Sequence, residues 1–191
     1  MSEMKLHSDS GERLYLTASE RNRFEEMSKK QDRETMTFAL ILLYTGCRLS
    51  EALNLRVKHI DLENNSIGIE SLKKRKKGVF RSVPVPERLI ESLNLVHALR
   101  ESKNKNTFLW QFSRMTGWRK IKEIMSLANI EGSQATPKGL RHGFGVYAIA
   151  DCEIPLNMVQ KWLGHAEIKT TAIYANALGK EERDIANKMW N

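Results

Sequence analysis

The segment TMTFALILLYTG, Thr35 to Gly46, is apolar on nearly every side of a helix. A helix of that kind has no solvent face, so other elements of the same chain must surround it. Gly46 is suited to end it in the left-handed conformation. The length of 191 residues fits one domain able to build such a core. With 41% hydrophobic and 28% charged residues, the chain is neither a disordered acidic tail nor a membrane bundle. No apolar run reaches the roughly 20 residues that span a bilayer. The opening MSEMKLHSDSGERLYL lacks the apolar core and small-residue cleavage site of a secretion leader. Cys47 and Cys152 are too few and too far apart for a disulfide scaffold or a clustered zinc site. The expected compartment is therefore a reducing cytoplasm. A net charge of +8 favours a polyanionic partner, nucleic acid first and an anionic membrane surface second.

No linker, low-complexity tract or repeat divides the sequence, and one folded unit is expected over residues 17–191, with residues 1–16 loose. Thr17 and Glu20 form a capping box that should start a helix running to about Lys30. After Gly46, CRLSEALNL spaces Leu49, Leu53 and Leu55 near the helical period and holds Arg48 between buried flanks. The period then changes to two: Ile67 and Ile69, then Val79, Arg81, Val83 and Val85, with Pro84 indicating an edge strand. This predicts a β-hairpin whose loop, KKRKKG, is almost wholly basic. Helical spacing returns at Leu89, Leu93, Val96 and Leu99, and again at Trp118, Ile121, Ile124, Met125 and Ala128. Thr136-Pro137 and Pro155 each open a further helix. The predicted fold class is mainly α with a small β-sheet.

Two stretches carry candidate chemistry. In TPKGLRHGFG, Thr136 caps a helix whose first turns place Lys138 and Arg141 on one face. Cations at a helix N-terminus are unfavourable alone but fit a bound phosphate; the plainer reading is a solvated basic turn. In WLGHAEIKTTAIYA, His165 follows the helix-ending Gly164, and Tyr174 lies near the end of a short helix. A tyrosine hydroxyl attacks phosphorus if nearby cations or a base favour its phenolate. Either residue alone reads equally well as packing or capping.

The segments TGCRLSEALNL, TPKGLRHGFG and LGHAEIKTTAIY, in this order, resemble the three catalytic boxes of the tyrosine recombinase, or phage integrase, family. The resemblance runs from about Leu16 to Ala177. It implies that Tyr174 is the nucleophile, that Arg48 and Arg141 bind the phosphate, and that His165 is the histidine before the tyrosine. Lys138 stands where many members have histidine, a departure other members share. His142 matches the position after the second arginine, with a supporting role through packing or hydrogen bonding. Glu51 either orients Arg48 or forms an ordinary surface pair with it. The hairpin lysine is assigned to Lys73, with Lys74 the competitor because one residue of register reverses the side chain. Lys74, Arg75, Lys76 and Lys77 are read as contacts to the DNA backbone.

The resemblance further implies the tyrosine recombinase catalytic-domain fold and a site-specific recombinase acting on double-stranded DNA through a 3′-phosphotyrosyl intermediate. The competing activities are relaxation of the type IB topoisomerase kind and a catalytically silent DNA-binding regulator. Two guanidiniums suit both phosphate oxygens, so no metal and no cofactor is expected. Family members typically assemble a tetramer on two sites. The tail GKEERDIANKMW is either an apolar docking face or a helix folded back on its own core. About 16 residues precede Thr17, so no separate N-terminal core-binding domain is expected, and binding is expected to rely on assembly or an accessory DNA-bending protein.

Overall fold

Thr17 opens the first helix as its spacing predicts. Its side chain accepts from the Glu20 amide, and the Glu20 carboxylate accepts from the Thr17 amide. The computed structural model describes residues 5–72, 78–177 and 189–190. Helix α1 spans Ala18–Lys29, and α2, Arg33–Thr45, is the core helix, packed against α1 and two later helices. A five-residue helix α3, Leu49–Leu53, follows directly.

The sheet has three antiparallel strands: β1 (Ile60–Asp61), β2 (Ser66–Glu70) and β3 (Phe80–Pro84), in that order. The sequence predicted only the hairpin; β1 is two residues long and leaves no period to detect. β3 lies at the edge, which accommodates Pro84. Ile67, Ile69, Arg81 and Val83 point inward.

Beyond the sheet come α4 (Glu87–His97), α5 (Arg114–Leu127) and α6 (Pro137–Val146), the last capped by Thr136 with Pro137 in its first turn. One π-helical turn, Tyr147–Asp151, extends α6. Then follow α7 (Leu156–Leu163), α8 (Lys169–Ala172) and a 3-10 segment, Ile173–Ala177. Trp118, expected in the apolar stripe of α5, is 41% exposed, while Ile121, Ile124 and Met125 carry the buried face. A main apolar cluster surrounds α2, and a second joins Leu6, Phe144, Val159, Leu163 and Tyr174.

The opening segment departs from the expected loose stretch. Leu6 is buried, the Leu14 amide donates to its carbonyl at 2.8 Å, and Leu16 donates to the Gly139 carbonyl. Burial of Leu6 and Leu16 anchors residues that composition alone marks as polar and mobile. Of the tail, only Met189 and Trp190 are described, both exposed; the proposed tail helix lies outside the described residues.

Gly46 caps α2 at φ +59°, and a Cβ there would come within 2.6 Å of the Phe144 ring. Gly46→Ala combines a strained backbone with a clash. It is expected to cost about 1–3 kcal/mol in denaturant melts. Unchanged stability would show that α6 yields freely to α2.

Candidate active site

Two helix C-termini converge on Arg141. Its Nη1 donates to the Gly46 carbonyl at 2.6 Å, and its Nη2 to the Leu163 carbonyl at 2.9 Å and to His165 Nε2 at 2.9 Å. These carbonyls lie at the ends of α2 and α7, where helix dipoles favour a cation. Burial nevertheless lowers the guanidinium to about 10, with the Arg48 charge acting in the same direction. Arg141 therefore remains a cation at neutral pH.

Arg48 opens α3. Its backbone amide donates to Glu51 Oε2 at 3.0 Å, and its Nη1 pairs with Glu51 Oε1 at 2.7 Å. The Glu51 side chain is fully buried and takes a second arginine, Arg81 Nη2, on Oε2 at 2.6 Å. Burial would raise the Glu51 pKa, but the Arg81 charge and hydrogen bond, together with Arg48, leave it lowered. The pair with Arg48 is not an ordinary surface one, because the Glu51 carboxylate is buried between two guanidiniums. The Arg48 side chain stays about a quarter exposed, and thus open to an anion.

A guanidinium only donates, so His165 accepts through Nε2 and carries its proton on Nδ1, which donates to Thr171 Oγ1 at 2.9 Å. Burial, then the Arg141 and Arg48 charges, hold this histidine down to about 3, so it is neutral. Its ring stacks on Tyr174, with centroids 6.2 Å apart. The Tyr174 hydroxyl lies 3.1 Å from His142 Nδ1, and the residue is fully buried. Burial pushes the phenol up to about 12 against the pull of Arg141 and Arg48. The ring lies flat on α6 because Gly145 has no side chain; a Cβ there would come within 2.6 Å of it. His142 is itself lowered to about 4, first by burial and then by the Lys138 and Arg141 charges. Among the described residues its Nε2 has no hydrogen-bond partner.

The sequence profile of the phage integrase family matches residues 14–181. The chain belongs to the phage integrase family. Tyrosine recombinase XerA of Pyrococcus furiosus is 29% identical over 182 residues, covering 91% of this chain and 60% of that protein. A crystal structure of XerA recombinase matches with a TM-score of 0.74 at 27% identity, over 92% of this chain and 64% of that one. A XerH recombinase structure titled as a post-cleavage complex on a palindromic difH substrate shares the fold, with a TM-score of 0.76 at 24% identity. It covers 99% of this chain and 57% of that one. The chain thus spans about three-fifths of the length of these relatives.

Within this integrase-family fold, Arg141, His142, His165 and Tyr174 gather around α6 as one connected group, and the Arg48–Glu51 pair joins it through Arg81 and the Trp162–Leu163 peptide. Lys138 is exposed in the first turn of α6, close enough for its charge to act on His142. Lys73, Lys74, Arg75, Lys76 and Lys77 lie outside the described residues. Arg81 is the residue that sequence reasoning missed. Its signal was an arginine among Val79, Val83 and Val85 on the apolar phase of an alternating strand, which requires a buried counter-charge. Among the described residues, no helix is long and apolar enough to cross a membrane.

Three histidines, His142 and His165 buried and His97 half-buried, give this integrase-family domain a defined acid response. His97 and His142 are held down to about 4 and His165 to about 3, each chiefly by burial. Unfolded, each titrates near about 6.5, so below that pH the unfolded chain takes up protons the folded one refuses. Stability is expected to fall steadily from about pH 6.5 to about pH 4. Thermal melts at about pH 7.5 and about pH 5 check this, and equal midpoints would contradict it.

Proposed function

We propose that this chain is a site-specific recombinase that breaks and rejoins double-stranded DNA through a covalent link to Tyr174. The observation that carries the reading is that Arg141 bonds His165, His165 stacks on the Tyr174 ring, and the Arg48 charge lies close enough to act on both. The complex of a structural neighbour, XerH recombinase, with its difH substrate supports DNA as the partner class.

Arg141 spends three N–H groups on holding itself in place, which leaves Nε–H and one Nη1–H for the nonbridging oxygens of a phosphodiester. Arg48 supplies a second, more exposed fork, and His165 keeps the Arg141 fork from rotating. As Tyr174 releases its proton to solvent and its oxygen bonds to phosphorus, the bond from phosphorus to the 5′ oxygen breaks, giving a 3′-phosphotyrosyl link and a free 5′-hydroxyl. Developing charge on the phosphorane falls on the two guanidiniums. The proton for the departing 5′ oxygen is assigned to the hairpin lysine, Lys73 or Lys74, and Lys138 to cationic support. Lys74 through Lys77 hold flanking phosphates. Attack by another strand's 5′-hydroxyl reverses the step with the ester energy retained. Exchange between two duplexes calls for several protomers, a homo-tetramer on two sites, with an accessory DNA-bending protein to aid assembly. The residues at hand need no metal or cofactor for this sequence of steps.

The test is incubation with nicked suicide duplexes drawn from the gene's neighbourhood, followed by denaturing gels and peptide mapping. A covalent adduct on the peptide containing Tyr174 is expected. Relaxed plasmid without exchange between sites would favour a topoisomerase activity instead, and DNA binding without any adduct would leave a silent regulator.

A further inference from the structure

Arg81 occupies a place where a long cation is costly. It pairs with Ile69 across the sheet, points to the buried face of β3 and is 7% exposed. A guanidinium there is tolerated only if its donors are met. Three segments remote in sequence meet them. Nη2 donates to Glu51 Oε2 and Nε to the Trp162 carbonyl, both at 2.6 Å, and Nη1 donates to Ser71 Oγ at 3.2 Å. Glu51 in turn holds Arg48 by two contacts. Leu163, the neighbour of Trp162, gives its carbonyl to Arg141. Gly164 turns so closely over Arg81 that an added Cβ would lie 3.0 Å from Nη1. Ser71 also closes the strand pair, its amide donating to the Val79 carbonyl at 2.9 Å.

One planar fork therefore reaches Arg48 through a single carboxylate and the Arg141 support through a single peptide. We propose that Arg81 is a positioning residue: it sets the spacing between the Arg48 and the Arg141–His165 halves of the phosphate clamp, holding one through Glu51 and the other through the Trp162 carbonyl. This rests on reading the site as a phosphate clamp. Lysine keeps the charge but presents no rigid fork, so it cannot serve the carboxylate, the peptide and the hydroxyl in one plane. The effect on chemistry follows because a clamp misplaced by about 1 Å loses a large part of its transition-state binding.

The test compares Arg81→Lys with the wild-type chain in two assays. In single-turnover cleavage of a suicide duplex at saturating protein, the variant is expected to lose about 10- to 100-fold in rate, with its DNA dissociation constant within about 3-fold of wild type. In calorimetric titration with orthovanadate, a phosphate-shaped anion that requires neither DNA nor cleavage, it is expected to bind about 10-fold more weakly. If Arg81→Lys fails to fold, the double variant Arg81→Gln/Glu51→Gln replaces it, because it leaves no carboxylate buried and unpaired. Its losses should fall short of the product of the two single-variant losses, since Arg81 and Glu51 share one contact. Vanadate affinity equal to wild type, or losses in the double variant that multiply, would overturn the inference. A wild-type chain that forms no adduct overturns the recombinase reading while the vanadate titration still decides on Arg81. A wild-type chain that takes no vanadate yet forms the adduct overturns the Arg81 inference alone.

Discussion

Tyr174→Phe is expected to bring covalent DNA adducts below detection while DNA binding stays within about 2-fold of wild type. The ring fills the slot above Gly145 and stacks on His165, and phenylalanine retains both contacts. What it loses is the oxygen to which the proposed function assigns the attack. Removing that oxygen also leaves His142 Nδ1 without its partner at 3.1 Å. A lost partner for a buried nitrogen costs about 1–3 kcal/mol, so a modest drop in melting temperature should accompany the loss of chemistry. Adducts formed by the variant, mapped to another residue, would remove Tyr174 as the nucleophile.

Arg141→Lys is expected to slow single-turnover cleavage about 100- to 1,000-fold at saturating DNA. The lysine variant is more informative than alanine. Alanine would leave the Gly46 and Leu163 carbonyls buried without donors, and so mix loss of fold with loss of catalysis. Lysine keeps a cation between the two helix ends but has no fork to face phosphate while it holds two carbonyls and His165. His165 then loses the donor that fixes its tautomer. Cleavage by Arg141→Lys at the wild-type rate would place the phosphate contact elsewhere.

Local chemistry was readable from residue order. Thr17 with Glu20, Gly46, Thr136-Pro137 and Gly164 each fix a helix end through contacts within a few residues, and each appears in the structure where the sequence placed it. The candidate site was legible as a set of residues because three boxes in order resemble a known family. Its wiring was not. The Glu51 to Arg81 bond joins residues from α3 and β3, and the Tyr174 to His142 bond joins the 3-10 segment Ile173–Ala177 to α6. No periodicity reports such pairs, since nothing local is strained or satisfied by them. Leu6 was overlooked for the related reason that one apolar residue among polar neighbours becomes core only when a remote surface covers it.

The slot that holds Tyr174 acts as a thermodynamic safety catch. With the phenol buried and pushed up to about 12, the resting chain offers DNA neither an accessible oxygen nor a useful fraction of phenolate. If the armed arrangement is one molecule in about a hundred, observed cleavage is slower than intrinsic cleavage by that same factor. On the proposed function, contacts that drew Lys169–Ala172 and Ile173–Ala177 away from α6 would repay the difference. On the proposed function, the free energy that frees the Tyr174 oxygen must therefore come from binding.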